Sequence, residues 1–194
     1  MKVGLFIPCY VDQFYPKVAV ATLELLEKLG CEVVFPLNQT CCGQPMANSG
    51  FASLSEGCDK NFIANFVEVD YVVSPSGSCV LHVKEHLHDQ NETKASYIRR
   101  NIYELTEFIV DVLKVENMVA NFPHKVGMHI SCHGQRGLKL SNASESTAVR
   151  DGEALRLLKS MKDIRSDASV GGAMARTREN PVTALKRRAA SKKK

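Results

Sequence analysis

Between Lys2 and Pro36 the chain alternates in a way that few folds allow. Lys2 to Pro8 is a short apolar run that ends at Cys9. Asp12-Gln13 offers a helix start. From Phe14 to Leu29 the apolar residues Val18, Ala21, Leu25 and Leu29 recur at helical spacing, with Leu26 beside them. Gly30 closes that segment as a helix C-cap, and Cys31-Glu32-Val33-Val34-Phe35-Pro36 reads as a second strand. Strand, helix and strand within about 35 residues make a βαβ unit, which demands a parallel sheet.

The next stretch, Thr40-Cys41-Cys42-Gly43-Gln44-Pro45, follows the second strand. Adjacent cysteines rarely bridge each other, because the backbone between them must strain. Gly43 permits a tight turn, and Pro45 suits the first turn of a helix. Pro45 to Val67 is expected to be that helix, apolar at Phe51, Leu54, Phe62, Ile63 and Phe66. Tyr71-Val72-Val73 is a third strand, and Ser74-Pro75-Ser76-Gly77-Ser78-Cys79 is a loop of small residues carrying another cysteine. Helices are expected over Val80 to His88 and over Tyr97 to Val115, the latter kinked near Asn101, with a polar break at Asp89 to Glu92. A fourth strand, Val126-Gly127-Met128-His129-Ile130, leads to Ser131-Cys132-His133-Gly134-Gln135-Arg136-Gly137 and repeats the opening order of strand then cysteine.

The expected class is α/β, with a parallel, Rossmann-like sheet. A first cysteine-rich domain covers 1–115, an incomplete second half 116–161, and a disordered basic tail 162–194. That tail holds ten Lys/Arg against three Asp/Glu, so the first 161 residues carry a balance of −3 although the whole chain is +4. The average charge is therefore no argument for nucleic-acid binding. No apolar run approaches the roughly 20 residues that cross a bilayer. The N-terminus lacks the apolar region and cleavage site of a signal peptide. A cytosolic location follows as the expectation, and in that reducing compartment the seven cysteines are thiols or ligands.

Cys9, Cys41, Cys42 and Cys79 all lie past the carboxyl ends of strands, where open α/β sheets build their sites. Four thiolates on one concave edge can hold an iron–sulfur cluster or a zinc ion. They come from three separate loops, not from one compact knuckle, which favours a bulky cluster.

Cys9, Cys41-Cys42-Gly43 and Ser76-Gly77-Ser78-Cys79 together resemble the cysteine-rich CCG domain found in heterodisulfide reductases and in the iron–sulfur component of glycolate oxidase. The fuller resemblance, over roughly residues 1–160, is to the lactate utilization protein A family. It rests on Ile7-Pro8-Cys9-Tyr10-Val11-Asp12-Gln13-Phe14-Tyr15-Pro16, on Thr40-Cys41-Cys42-Gly43-Gln44-Pro45, on Pro75-Ser76-Gly77-Ser78-Cys79 and on His129-Ile130-Ser131-Cys132-His133. The resemblance implies an iron–sulfur protein, of 4Fe-4S type, that works with two partner subunits in oxidising L-lactate to pyruvate and passes electrons to an acceptor. It implies Cys9, Cys41, Cys42 and Cys79 as ligands and adds Cys132. Full CCG motifs end in CxxC and use five cysteines; here Ser76 replaces the first of that last pair, leaving a weak oxygen ligand in its place.

The family also carries a second motif, but no cysteine follows Cys132 in this sequence. The chain is expected to be a truncated or frame-shifted copy. His133 and Arg136 are candidates for an anionic substrate, the arginine through its forked donors. Two rivals to the electron-transfer reading are a zinc-bound scaffold subunit without redox role and a non-functional remnant. Cys31 and Cys58 read as core or near-surface thiols, and Met46 as packing. His82-Val83-Lys84-Glu85-His86 matches an inverted zinc-protease pattern, but reads as a solvated helix face.

Overall fold

The computed structural model describes residues 1–142, 151–161 and 165–166, and divides into two units, Met1–Phe108 and Ile109–Lys194. The expected basic tail over 162–194 lies outside the described residues, apart from Arg165–Ser166.

The first unit is an α/β layer on a parallel sheet. Its strands are β1 (Lys2–Leu5), β2 (Glu32–Val34), β3 (Tyr71–Ser74) and β4 (Ile102–Glu104), in spatial order β2-β1-β3-β4 and all parallel. The helices between them are α1 (Cys9–Phe14), α2 (Pro16–Lys28), α3 (Gln44–Asn48), α4 (Glu56–Phe66), α5 (Gly77–His86) and α6 (Glu92–Asn101). A single 3₁₀ turn, Ala52–Ser55, precedes α4. Because β1 has β2 on one side and β3 on the other, the winding direction reverses between β1 and β3. Open sheets of this kind bind their ligands past the carboxyl ends of the strands at such a reversal.

The core of this unit is built from aromatic and branched aliphatic side chains. Phe6, Phe62 and Phe66 stack edge-on or tilted, with ring centroids 4.8, 5.9 and 4.7 Å apart. All three are buried, as are Val3, Leu5, Val72, Val73, Ile98 and Ile102. Gly4 makes that packing possible: a Cβ there would stand 2.7 Å from the Phe66 ring, closer than any carbon contact tolerates.

Three sequence expectations need correction. The helix expected over Pro45 to Val67 is broken into α3, the 3₁₀ turn and α4, interrupted at Gly50-Phe51. The helix expected over Tyr97 to Val115 does not exist as one piece. The chain leaves α6 at Asn101, adds β4 to the sheet, and resumes as α7 (Leu105–Glu107) and a π-helical segment, Phe108–Val112. Pairing of Val72 with Ile102 and of Val73 with Tyr103 outweighs the helical preference of that segment. Glu104 then caps α7, accepting hydrogen bonds from the Thr106 and Glu107 backbone N–H groups. The strand expected over Val126 to Ile130 shrinks to β5 (Lys125–Val126).

In the second unit β5 pairs in parallel with β6 (Arg165–Ser166), in a region where the sequence offers no strand pattern. Helix α8 (Glu153–Ser160) presents Leu157 as a buried residue. No described helix is long and apolar enough to cross a membrane.

Candidate functional site

All seven cysteines are unbridged. Four of them come together in the first unit, each brought by a different local device. Pro8 stops β1 from continuing, and Cys9 becomes the first residue of α1. Cys41 and Cys42 sit in the irregular stretch after β2, immediately before Gly43, whose φ of 88° is left-handed. A Cβ on Gly43 would also lie 2.8 Å from Ser55 Cβ, so this position excludes any side chain twice over. Cys79 belongs to α5 and not to the loop before it: the helix starts at Gly77, one turn earlier than the sequence pattern suggests.

The thiols arrive as two pairs. The Cys9 and Cys41 sulfurs are 3.6 Å apart at the exposed rim. Cys42 and Cys79, both buried, share a hydrogen bond. That bond separates their acidities. Cys79 is lowered to about 6, by the Cys42 thiol first and then by the Ser76 and Ser78 hydroxyls. Its place in the first turn of α5 points the same way, since a helix N-terminus favours an anion. Cys42 keeps the shared proton, and burial pushes its thiol up further. Cys79 also lies 3.9 Å from Gln44 Oε1, to which a thiol would donate. At that length the contact is weak, and the hydrogen bonds Cys79 receives outweigh it. Burial and the neighbouring Cys41 raise the Cys9 thiol.

The donor chemistry fits a thiolate-held metal group. Among the described residues, no three or more Cys, His, Asp or Glu side chains are gathered as a single ion would require. Ser74 Oγ is buried at the end of β3 without a hydrogen-bond partner among the described residues, a further polar atom at this edge.

Cys132 is exposed and precedes a second π-helical segment, His133–Gly137, in the second unit; His133 and Arg136 are exposed beside it. Cys31 is buried at the opposite end of β2, and burial raises its thiol. Cys58 is half-buried on α4, close enough to Cys9 to feel its charge. The solvated-face reading holds for His86 but not for His82, which is 7% exposed, with Nε2 3.6 Å from where a Gly43 Cβ would stand. Burial holds His82 below the ordinary histidine value, so it is a neutral ring against the Cys-Cys-Gly turn.

Sequence reasoning passed over three residues that fasten these loops: Gln39, Gln44 and Asn61. Asn61 on α4 accepts from Thr40 Oγ1 at 3.3 Å and donates to the Asn38 carbonyl at 3.1 Å. The only available signal was position, since the two glutamines flank Thr40-Cys41-Cys42-Gly43.

The model of the cysteine-rich CCG domain matches residues 3–84, the span that carries all four clustered thiols. A lactate utilization protein A from Bacillus velezensis is 43% identical to the chain, over 88% of the chain and 70% of its own length. The chain belongs to the lactate utilization protein A family. Other lactate utilization A proteins agree: that of Geobacillus kaustophilus is 46% identical over 74% of the chain, and that of Bacillus subtilis 47% over 70%. These two matches span 62% and 59% of the relatives' own lengths. No solved structure matches the chain.

Proposed function

We infer that this chain is an iron–sulfur electron-transfer subunit that serves lactate oxidation, holding its cluster through Cys9, Cys41, Cys42 and Cys79. The observation that supports the reading is the meeting of thiols from three strand-end loops at the point where the sheet reverses its winding. Two separated thiol pairs suit a polynuclear group better than one ion. When bound, such a cluster would take up and release electrons one at a time.

The chain's own contribution is to fix, charge and shield the ligands. The buried Cys42 and Cys79 present a dry side, and the rim pair, with its exposed Cys9, a wet one. Solvent access of this kind, with hydrogen bonds to sulfur, sets the potential of a cluster. Ser76, at the N-cap of α5, places a hydroxyl where it supports Cys79. Two partner subunits would carry out the chemistry on lactate, and this chain would pass electrons on.

Anaerobic purification followed by iron and sulfide analysis tests the proposal. Iron and sulfide in near-equal amounts with broad visible absorption are the expected result. A colourless, iron-free chain after anaerobic reconstitution would overturn it. The zinc-scaffold reading draws on the 3.6 Å sulfur separation, near the roughly 3.8 Å between two thiolates on one tetrahedral zinc. One equivalent of zinc without visible absorption would favour that alternative.

A further inference from the structure

We propose that Gln39 and Gln44 are the positioning residues of this site. They bracket Thr40-Cys41-Cys42-Gly43 and tie it to the two other cysteine-bearing segments, one glutamine each. The inference rests on reading the four thiols as ligands, but not on which metal group they hold.

The Gln39 half follows from a fault in the sheet. The ladder between β1 and β2 runs through Lys2 with Glu32, Val3 with Val33 and Gly4 with Val34, and Glu32 N–H donates to the Met1 carbonyl at 3.1 Å. Advancing two residues at a time, the donor for the Leu5 carbonyl would be residue 36. That residue is Pro36, which has no N–H. Gln39 fills the gap with its side chain. Its Nε2 donates to the Leu5 carbonyl at 3.2 Å and to the Pro36 carbonyl at 3.0 Å, and its Oε1 accepts from Ile7 N–H at 2.7 Å. The carbonyl of one residue and the N–H two residues on are the pair a parallel neighbour engages. The amide therefore imitates one more residue of β2. Its orientation is fixed, because a flipped amide would set Oε1 against two carbonyls. Ile7 lies two residues before Cys9, and Gln39 two residues before Cys41, so this single side chain sets the spacing of the rim pair.

The Gln44 half acts on the buried pair. Gln44 is the first residue of α3, two residues past Cys42. Its Nε2 donates to the Ser78 carbonyl at 3.2 Å, immediately before Cys79. The Cys-Cys-Gly turn is thus fastened on one side to the Cys9 loop and on the other to the start of α5. Ligands held this way before any metal arrives need no reordering on binding.

The test is an anaerobic titration of the full 194-residue chain with cobalt(II), whose bonds to thiolate give intense near-ultraviolet absorption. Gln39→Leu and Gln44→Leu keep the size and remove the hydrogen bonds. Each should weaken cobalt affinity by about 10- to 100-fold, the range seen when outer partners of metal ligands are removed, and each should alter the spectrum. Gln39→Glu keeps acceptance from Ile7 but sets a carboxylate oxygen against the Leu5 and Pro36 carbonyls, and should weaken binding at least as much as Gln39→Leu. Ile98→Val, a core change on α6, controls for lost stability and should bind as the parent does. Leucine variants with parental affinity and spectrum would overturn the proposal, as would an Ile98→Val loss of equal size. Absence of thiolate–cobalt absorption in the parent would overturn it together with the ligand reading. Weakened cobalt binding in the variants, with a parent that assembles no chromophore from iron and sulfide, would uphold the bracket and defeat the iron–sulfur reading alone.

Discussion

After β1 the chain turns at Pro8 and sets Cys9 at the head of a helix, 3.6 Å from Cys41. After β5 it reaches Cys132, which stands exposed before a π-helical segment. In sequence the two passages look like one motif used twice, a strand followed by a cysteine. In the fold they differ by what surrounds them. Cys9 has neighbouring parallel strands that each deliver further thiols to the same edge. The sheet of the second unit consists, among the described residues, of β5 and β6, each two residues long. A strand-end cysteine becomes part of a site only when adjacent strands end at the same level.

The sharpest way to break this comparison is to delete one member of each kind. Cys42→Ala should reduce iron after anaerobic reconstitution to near background, because it removes a buried member of the proposed ligand set and leaves Cys79 without the thiol that lowers it. Retention of parental iron by that variant would mean that burial in the first unit confers no special role.

Gly43→Ala should have the next largest effect, on stability. The left-handed φ costs an ordinary residue roughly 1–2 kcal/mol and overpacking typically 1–3, so a loss of about 2–5 kcal/mol is expected. The chain has no tryptophan, and its tyrosines are Tyr10, Tyr15, Tyr71, Tyr97 and Tyr103, all in the first unit. Tyrosine fluorescence during urea unfolding therefore reports that unit alone. An unshifted midpoint would show that the Cys-Cys-Gly turn is not rigid.

A smaller effect concerns the far edge of the same sheet. Glu104 is half-buried, and desolvation raises its carboxyl above the ordinary value of 4.5, against hydrogen bonds from Thr106 and Glu107 that pull the other way. A raised carboxyl contributes stability that is complete below 4.5 and lost as pH rises through its folded value. Glu104→Gln keeps an acceptor for the cap and removes the charge. Relative to the parent, it should gain on the order of 1 kcal/mol as pH rises from about 4 to about 7. Parallel stability curves for the two proteins across that range would show that Glu104 is not under strain from burial.

Much of this was legible in the sequence, and the failures have causes. β1, β2 and β3 follow from apolar runs closed by Pro, Gly and Ser, and with them the convergence of Cys9, Cys41, Cys42 and Cys79 on one edge. β4 was hidden because Ile98, Ile102, Leu105 and Ile109 recur at helical spacing, so three residues of strand read as a kink. The burial of His82 does not show in the sequence, because a histidine on a short helix is usually wet, and only the packing of α5 encloses it. The two glutamines were invisible for a different reason. The part Gln39 plays depends on strand register, and on Pro36 falling where the ladder needs a donor. Neither follows from residue type.

The smallest expected effect sharpens the comparison from its weak side. Cys132→Ser removes a strand-end cysteine that has no described thiol partner, and no other cysteine follows it in the sequence. It should leave reconstituted iron and the visible spectrum unchanged, whereas Cys9→Ser, also at an exposed position but paired with Cys41, should perturb both. If Cys132→Ser lost as much iron as Cys9→Ser, exposure and local motif would count for more than convergence, and the ligand set would extend into the second unit. If neither lost iron, the rim pair would be dispensable and the site would shrink to Cys42 and Cys79. Only a loss confined to Cys9→Ser fits a site made by neighbouring strands.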